Sequence, residues 1–343
     1  MSHFQDEIYA QPEVLQGVIA NPRIAEVAAK LQNRTIPMIV TVARGSSDHA
    51  LTFFSYLAGQ YLGLPVASLP PSLLTVYGSS MKVAGALAVG VSQSGQSSDV
   101  VESLRQLKQA GALSLAITNQ SGSALETLAD HALYLGAGRE QAVAATKTFS
   151  GQMMALALVV AHWSQDTALL RALESVPKLL RQLLAEQAPI ERAALRLTHA
   201  EQVYVLGRGL SFGPALEIAL KLKETSYLHA QAYSSAEFQH GPIASVDPKD
   251  PIVLIASSDG TLASNLQVAE RLHAIGADLT VISGAAALVS EANAPIALPA
   301  GLNPASEAFL QVLAGQLLAL HLTRSKGLDP DQPRHLRKVT QTM

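Results

Sequence analysis

The chain of 343 residues contains no cysteine. Disulfides, thiolate metal sites and cysteine nucleophiles are therefore excluded within it, and the composition fits a reducing compartment. Neither sign of charge is in excess: 24 Lys and Arg stand against 27 Asp and Glu, a formal net charge of -3. No broad basic field exists to hold nucleic acid or an anionic membrane, and neither is expected as a partner. Any anion must be bound locally. Long apolar runs are missing too. The longest, Met153 to Trp163, is about half of the ~20 residues a membrane span requires, and it reads as a buried helix. The opening MSHFQDEIYAQPEV is mixed polar with Pro12 inside it, unlike the basic-then-apolar layout of a signal peptide, so the expected location is cytoplasmic. No Gly-x-x-x-x-Gly-Lys-Ser/Thr and no Gly-x-Gly-x-x-Gly opens a helix, which disfavours nucleotide binding. No pair of histidines has metal-ligand spacing, and no metal or other cofactor is expected.

What the chain does have is 48% hydrophobic residues, enough for one large core or two ordinary domains. It also repeats itself. IVTVARGSSDHA from Ile39 and VYVLGRGLSFGPA from Val203 are each a strand-like run followed by Arg-Gly and a serine-bearing turn, with Arg44 and Arg208 164 residues apart. GALAVGVSQSG ending at Gly95 answers DPIVLIASSDG ending at Gly260, 165 residues on, and GALSLAITNQSG from Gly111 answers GADLTVISGAAA from Gly276, again 165 on. DHALYLGAG ending at Gly138 pairs with NAPIALPAG ending at Gly301, an offset of 163. Four successive strand candidates hold one register, which chance apolar runs would not do.

Within each copy, short apolar runs alternate with helical patterns such as Val100 to Ala110 and Leu262 to Ile275. That alternation argues βαβ units and parallel sheets, and unalternated runs such as LAVGV and IVLIA suit strands covered on both faces. The expected fold class is α/β: two doubly wound parallel-sheet lobes related by internal duplication. The segment from about Gln152 to His199 reads as long helices broken near Pro177 and Pro189. The tail GLDPDQPRHLRKVTQTM has two prolines and little periodicity and is expected to be extended. The corresponding domain plan is an N-terminal helical segment over 1–34, a first lobe over 35–165, a helical connector over 166–198, a second lobe over 199–325 and the tail over 326–343.

GVSQSGQSSD, Gly90 to Asp99, packs four hydroxyls and two glycines directly after the apolar run Ala86 to Val89. In open parallel sheets ligands sit beyond the carboxyl ends of strands, where the next helix begins. A helix N-terminus offers unpaired N–H groups and about half a positive charge, so it holds a phosphate without a lysine. Ser92, Ser94 and Ser97 add hydroxyl donors, Gln93 an amide, and Gly95 lets the backbone approach closely. A sugar phosphate would suit this loop. The plainer alternative is that Ser97 or Ser98 simply N-caps the helix that follows.

The stretches ARGSSDHA, SQSGQSSD, AVAATKTFSGQ, ALKLKETSYLHAQAYSSAEFQHGP and DPDQPRHLRKVTQT together resemble the double sugar isomerase (SIS) domain. That domain is shared by the isomerase half of glucosamine-6-phosphate synthase and the type II glucosamine-6-phosphate deaminases. The likeness covers essentially the whole chain and implies flavodoxin-like lobes. GRGLSFGPALEIALKLKE, SSAEFQHGP and KVTQT look closer to the deaminase branch.

Glu217, Lys221 and Glu224 share one helical face by spacing. A surface ion-pair ladder would be the ordinary reading, but Leu216, Ile218, Leu220 and Leu222 leave few polar faces, so the charges are expected to be enclosed and a carboxylate among them to become a plausible base. The resemblance implies that Glu224 moves the proton between C1 and C2 with Lys221 assisting. It also implies that His240, in EFQHGP, opens the sugar ring, often from the neighbouring subunit of a homodimer. Lys338 in the tail matches a lysine that forms an imine in the synthase; in a deaminase it would hold the open-chain sugar. Ser47 matches a sugar-contacting serine, with helix capping as its alternative. Val143 and Ala145 match positions beside the sugar, and Ala145 stands where the synthase has serine.

The synthase uses a glutaminase domain opening on a nucleophilic cysteine, and this chain shows neither. The expected reaction is therefore glucosamine 6-phosphate plus water to fructose 6-phosphate plus ammonia. Ammonia-dependent synthesis in the reverse direction, deglycation of fructosamine 6-phosphates, galactosamine-phosphate deamination and plain aldose-ketose isomerisation remain as alternatives. A sugar-phosphate-sensing regulator on the same fold would need a DNA-binding helix-turn-helix, for which neither terminus is expected to have room.

Overall fold

A computed structural model describes residues 2–336 and 338. Among these, ten strands form two five-stranded sheets. The first contains β1 (Ile39–Val42), β2 (Val66–Ser68), β3 (Leu87–Ser92), β4 (Leu113–Thr118) and β5 (His131–Tyr134), in the order β2-β1-β3-β4-β5. The second contains β6 (Gln202–Gly207), β7 (His229–Ser234), β8 (Pro251–Ile255), β9 (Asp278–Ser283) and β10 (Ala294–Ala297), in the order β7-β6-β8-β9-β10. Every neighbouring pair is parallel. One order, 2-1-3-4-5, occurs twice, and the four repeats legible in the sequence are β1/β6, β3/β8, β4/β9 and β5/β10. The remaining pair is β2/β7. It escaped pattern reading because β2 is a three-residue edge strand, none of it buried.

The chain partitions into two compact units. One comprises Glu13–Gln141, Lys147–Glu174 and, in the tail, Leu336 and Lys338; it carries the first sheet. The other comprises residues 2–12, Ala142–Thr146 and Ser175–His335 and carries the second. In the first unit, β1 and β3 are buried along their whole length, and Val42, Ala88 and Ala116 pack with Val100, Leu104 and Leu107 of the helix Ser98–Gln109. In the second, Leu206, Leu254 and Val281 pack with Val268 and Leu272 of the helix Leu262–Ile275. Burial of both sheet faces is what removes the apolar alternation from these strands.

The run Met153 to Trp163 lies in the helix Lys147–Ser164, buried from Lys147 to Ala161 and packed on the helices Pro22–Gln32 and Ser46–Leu62. Among the described residues one helix, Pro304–Ser325, is long and apolar enough to cross a membrane, and nearly all of it is buried inside the protein.

Two local expectations are corrected. No break occurs at Pro177: the helix Thr167–Ala185 runs through it. Proline removes one backbone hydrogen bond there, but the stripe Leu169, Leu173, Val176 and Leu180 is fully buried and holds the helix together. Pro189 does mark a boundary, sitting in the first turn of the helix Ala188–Arg196, where its missing N–H costs nothing. The described part of the tail is a chain of turns rather than extended. Asp329 accepts from the Asp331 N–H at 2.9 Å, and the Asp331 carboxylate accepts from the N–H groups of His3 and Phe4 at 2.7 and 2.8 Å, capping the helix His3–Tyr9. Aspartates bonding nearby backbone are a common source of such turns. Farther on, the Arg334 guanidinium stacks on the Tyr227 ring 4.4 Å from its centroid.

Candidate functional site

In the first unit the strand order reverses between β1 and β3, and such a switch point opens a crevice at the strands' carboxyl ends. Two serine-bearing turns flank it. After β1, Arg44 and Gly45 (φ +56°) lead into the helix Ser46–Leu62, with Ser47 buried in its first turn. Gly45 occupies the cap position and Ser47 does not, so helix capping does not explain Ser47. After β3, the loop Gln93 to Ser97 leads into Ser98–Gln109. The two turns are tied by Arg44 Nε donating to Asp99 Oδ2 at 2.7 Å.

The loop's backbone is fixed from one side. The Gln93 carbonyl accepts from the Asn119 N–H at 3.0 Å, and the Gly95 carbonyl from the Leu125 N–H at 3.1 Å. Gly95 has φ +62°, and a Cβ there would meet the Ser123 side chain and, at 2.8 Å, Thr118 Oγ1. Only glycine fits. Ser97 occupies the cap position of the following helix but makes no side-chain cap bond; its hydroxyl lies 3.2 Å from that of Ser92. The capping alternative therefore fails for Ser97. Ser92, Ser94 and Ser97 cluster at a helix N-terminus with Gln93 half-buried beside them.

The second copy differs at the matching turn. Its strand-end turn is Ser257-Ser258-Asp259-Gly260, and Arg208 Nη1 donates to Ser264 Oγ at 3.0 Å where the first copy pairs Arg44 with Asp99. Asp259, in place of Ser94, accepts from the Thr261 N–H and hydroxyl at 2.7 and 2.6 Å. Glu307 is buried nearby and accepts from the Gly284 N–H at 2.7 Å. Burial raises its carboxyl, and the charge of Asp259 adds to that, while hydrogen bonds from Gly284 and Ser257 oppose it. Two carboxyl groups at this turn disfavour a dianion. The first loop has Ser94 where the second has Asp259, and its nearby carboxylate, Asp99, is paired with Arg44.

The second unit holds the charged helix. Along Phe212–Ser226, Glu217 and Lys221 are fully buried, whereas Leu216 and Leu220 are half-buried. Lys221 Nζ lies 3.3 Å from Glu217 Oε1 and 2.5 Å from Glu224 Oε2. Burial alone would push the lysine down, but the two carboxylates outweigh it and hold Lys221 above the ordinary lysine range. Lys221 is a standing cation. Here the expectation of an enclosed base is corrected: Glu224 keeps 18% side-chain exposure, so the enclosed pair is Glu217 and Lys221, with Glu224 at the rim. Its free edge faces solvent while a fixed ammonium grips one oxygen.

His240 lies in the turn after the helix Ser235–Phe238. Phe238 is buried against Tyr204 and Tyr233, with ring centroids at 5.3 and 5.7 Å, and it anchors a turn on which His240 is exposed. Among the described residues no group hydrogen-bonds the His240 ring. Val143 and Ala145 also belong to this unit, half-buried in alternation with buried Ala142, Ala144 and Thr146.

Lys338 belongs instead to the unit of the serine loop, where its Nζ lies 3.2 Å from Glu140 Oε2. Glu140 was missed in the sequence, although it stands two residues before the motif AVAATKTFSGQ. The predicted residues thus fall into two groups: Ser47, Ser92, Gln93, Ser94, Gly95, Ser97 and Lys338 in one unit, and Lys221, Glu224, His240, Val143 and Ala145 in the other. Among the described residues no group of three or more His, Asp or Glu is placed to hold a metal ion.

Residues 34–162 and 196–324 each match the SIS domain. The chain belongs to the SIS domain family. Its two SIS copies are homologous to the isomerase half of glutamine–fructose-6-phosphate aminotransferase. The Aquifex aeolicus enzyme of that name is 34% identical over 98% of this chain, and the Aeropyrum pernix one 35% identical over 98%. The chain spans 57% of the length of each of those relatives. The C-terminal domain of glucosamine-fructose-6-phosphate aminotransferase from Francisella tularensis superposes with a TM-score of 0.85 at 31% identity, covering 97% of this chain and 98% of that one. The glucosamine-6-phosphate deaminase of Thermotoga maritima shares the SIS fold, with a TM-score of 0.79 at 23% identity over 99% of this chain and all of that one.

Proposed function

We propose that this SIS protein is an amino-sugar phosphate isomerase and deaminase that converts glucosamine 6-phosphate and water to fructose 6-phosphate and ammonia. The observation that carries the reading is the Lys221–Glu224 pair: a rim carboxylate gripped at 2.5 Å by a buried lysine that stays charged. Such a carboxylate is held in place with a free lone pair, as a positioned general base requires.

In this reading the helix N-terminus and the hydroxyls of Ser92, Ser94 and Ser97, with Gln93 and the Gly95 backbone, hold the phosphate, and Ser47 contacts the sugar beside it. His240 passes a proton between the ring oxygen and the anomeric hydroxyl, a task suited to imidazole. Glu224 then removes the C2 proton of the open-chain aldehyde. The electron pair forms an enolamine, which takes a proton at C1 and becomes the C2 ketimine. Water adds to that ketimine and ammonia leaves. Lys338 holds the open-chain sugar, and Val143 and Ala145 line it. The steps are proton transfers, cleavage of the ring C–O bond, addition of water and cleavage of the C2–N bond, with no change of overall oxidation state. The ring of His240, exposed and unbonded among the described residues, suits a histidine that completes a neighbouring subunit's site, so we assign the working form as a homodimer.

The test is to incubate the protein with glucosamine 6-phosphate, galactosamine 6-phosphate and a fructosamine 6-phosphate, and to measure ammonia and ketose phosphate together. Equal amounts of both products from glucosamine 6-phosphate support the reading. Turnover of an aldose phosphate without ammonia would make the protein a plain isomerase. Binding of sugar phosphates with no turnover at all would leave a sensor.

A further inference from the structure

Glu140 is an acidic side chain with an unusual setting. It is fully buried, between β5 and the helix Lys147–Ser164, and it is fixed from the helix side. Its Oε1 accepts from the Thr148 N–H at 3.1 Å and its Oε2 from the Thr148 hydroxyl at 2.5 Å. Thr148 lies in the first turn of a helix buried from Lys147 to Ala161, so the carboxylate is held on a buried element. Among these described residues, Lys338 is the one that reaches solvent: its side chain keeps 27% exposure while its Nζ sits 3.2 Å from Glu140 Oε2.

A lysine's flexible four-carbon stem spreads its amine over many positions, so an amine with a precise task needs a fixed partner. A buried, doubly fixed carboxylate removes that freedom by offering one place where the ammonium is paired. We infer that Glu140 is the positioning residue for Lys338: it docks the tail amine on the unit that carries the Ser92–Ser97 loop. The inference rests on the role proposed above for Lys338. It explains how the Lys338 amine is held at a fixed place.

The test uses the full chain with Glu140→Gln, Lys338→Met and the double variant. Three quantities are measured: kcat and KM for glucosamine 6-phosphate, thermal midpoint, and the rate at which an amine-reactive ester labels Lys338, read by mass spectrometry. Glutamine keeps the shape of Glu140 but not its charge. Glu140→Gln is expected to lower kcat by about 10-fold or more with KM within about threefold, the pattern of a misplaced group rather than lost binding. Lys338 should label several-fold faster, and in the Lys338→Met background Glu140→Gln should cost no further kcat, since coupled residues are not additive. A full second loss of kcat in that background would overturn the inference, because Glu140 would then act only as a cap for the helix at Thr148. Unchanged labelling of Lys338 would overturn it as well. If Lys338→Met keeps full turnover, the role of Lys338 in the reaction falls, and the labelling rate still decides whether Glu140 holds the amine. Should Glu140→Gln fail to fold, Glu140→Asp, which keeps the charge and shortens the reach, is expected to give the same faster labelling, and no change in it overturns the inference.

Discussion

Lys221 has no exposed surface, so its ammonium is tolerable only because Glu217 and Glu224 both reach it. The arrangement divides the labour between the two carboxylates. Glu217, buried, balances the charge; Glu224, at the rim, is the base of the proposed reaction. Glu224→Gln keeps shape and hydrogen bonding but cannot take a proton, so turnover should fall by ~10² to 10⁴ with KM little changed, measured by steady-state kinetics. Lys221→Met should do something different. It removes the cation beside the buried Glu217, at a cost of about 3–5 kcal/mol in folding stability measured by urea unfolding. The helical spacing of these three residues was legible in the sequence, because neighbours at three and four positions follow from helix geometry. So was the enclosure of Glu217 and Lys221, which the leucines around them implied. What covers this helix was not: the helix Pro304–Ser325 packs on it and comes close at Gly315. A Cβ on Gly315 would overlap the side chain of Ile218. That contact lies 97 residues away in sequence and no local pattern reports it.

At the scale of elements, the serine loop depends on one conformation of one glycine. Gly95→Ala would need φ +62° and the space held by Ser123 and Thr118, so it should destabilise the first unit by about 1–3 kcal/mol and abolish the difference in affinity between glucosamine 6-phosphate and free glucosamine, measured by calorimetry. A second element-level device is Asp130, which joins β4, β5 and the helix Ser98–Gln109. It accepts from the Ser114 N–H and hydroxyl at 2.9 and 2.7 Å and pairs with Lys108 at 2.8 Å. Burial would raise its carboxyl, but the bonds from Lys108 and Ser114 prevail and hold it at about 2, below the usual 3.8. A depressed carboxyl stabilises the fold above the unfolded value, and that contribution is lost as pH falls from about 4 towards 2. Asp130→Asn should therefore be less stable than the wild type at pH 6 and lose stability less steeply across that acid range, as followed by circular dichroism. Strands and their repeats were readable because covered parallel strands are short apolar runs between turns. The helix through Pro177 and the turns of the tail were not, since buried leucines in one case and side-chain bonds from Asp329 and Asp331 in the other override the proline signal.

The whole molecule is one design used twice and specialised once. Both copies keep the 2-1-3-4-5 order and an arginine after the first strand, but Ser94 in one loop answers Asp259 in the other. The duplication was visible as a constant offset near 165 residues; its functional asymmetry rests on Glu307, which the offset does not bring into view because it comes from a later helix. The exposed His240 sets the prediction at this scale. Mixing inactive His240→Ala with inactive Glu224→Gln subunits should restore part of the activity if each site takes a histidine from its neighbour, whereas proven subunit exchange with no recovery would place each site within one chain.

The measurement that bears most directly on the central claim follows the proton. Glucosamine 6-phosphate is turned over in deuterated water by the wild-type protein and by Glu224→Gln, and the fructose 6-phosphate formed is read by NMR. A base at Glu224 that exchanges with solvent predicts deuterium at C1 of the product, formed together with ammonia, and a loss of ~10² to 10⁴ in the rate of labelled product with Glu224→Gln. Product formed by Glu224→Gln at the wild-type rate with the same deuterium at C1 would contradict the assignment, because another group would then be moving the proton.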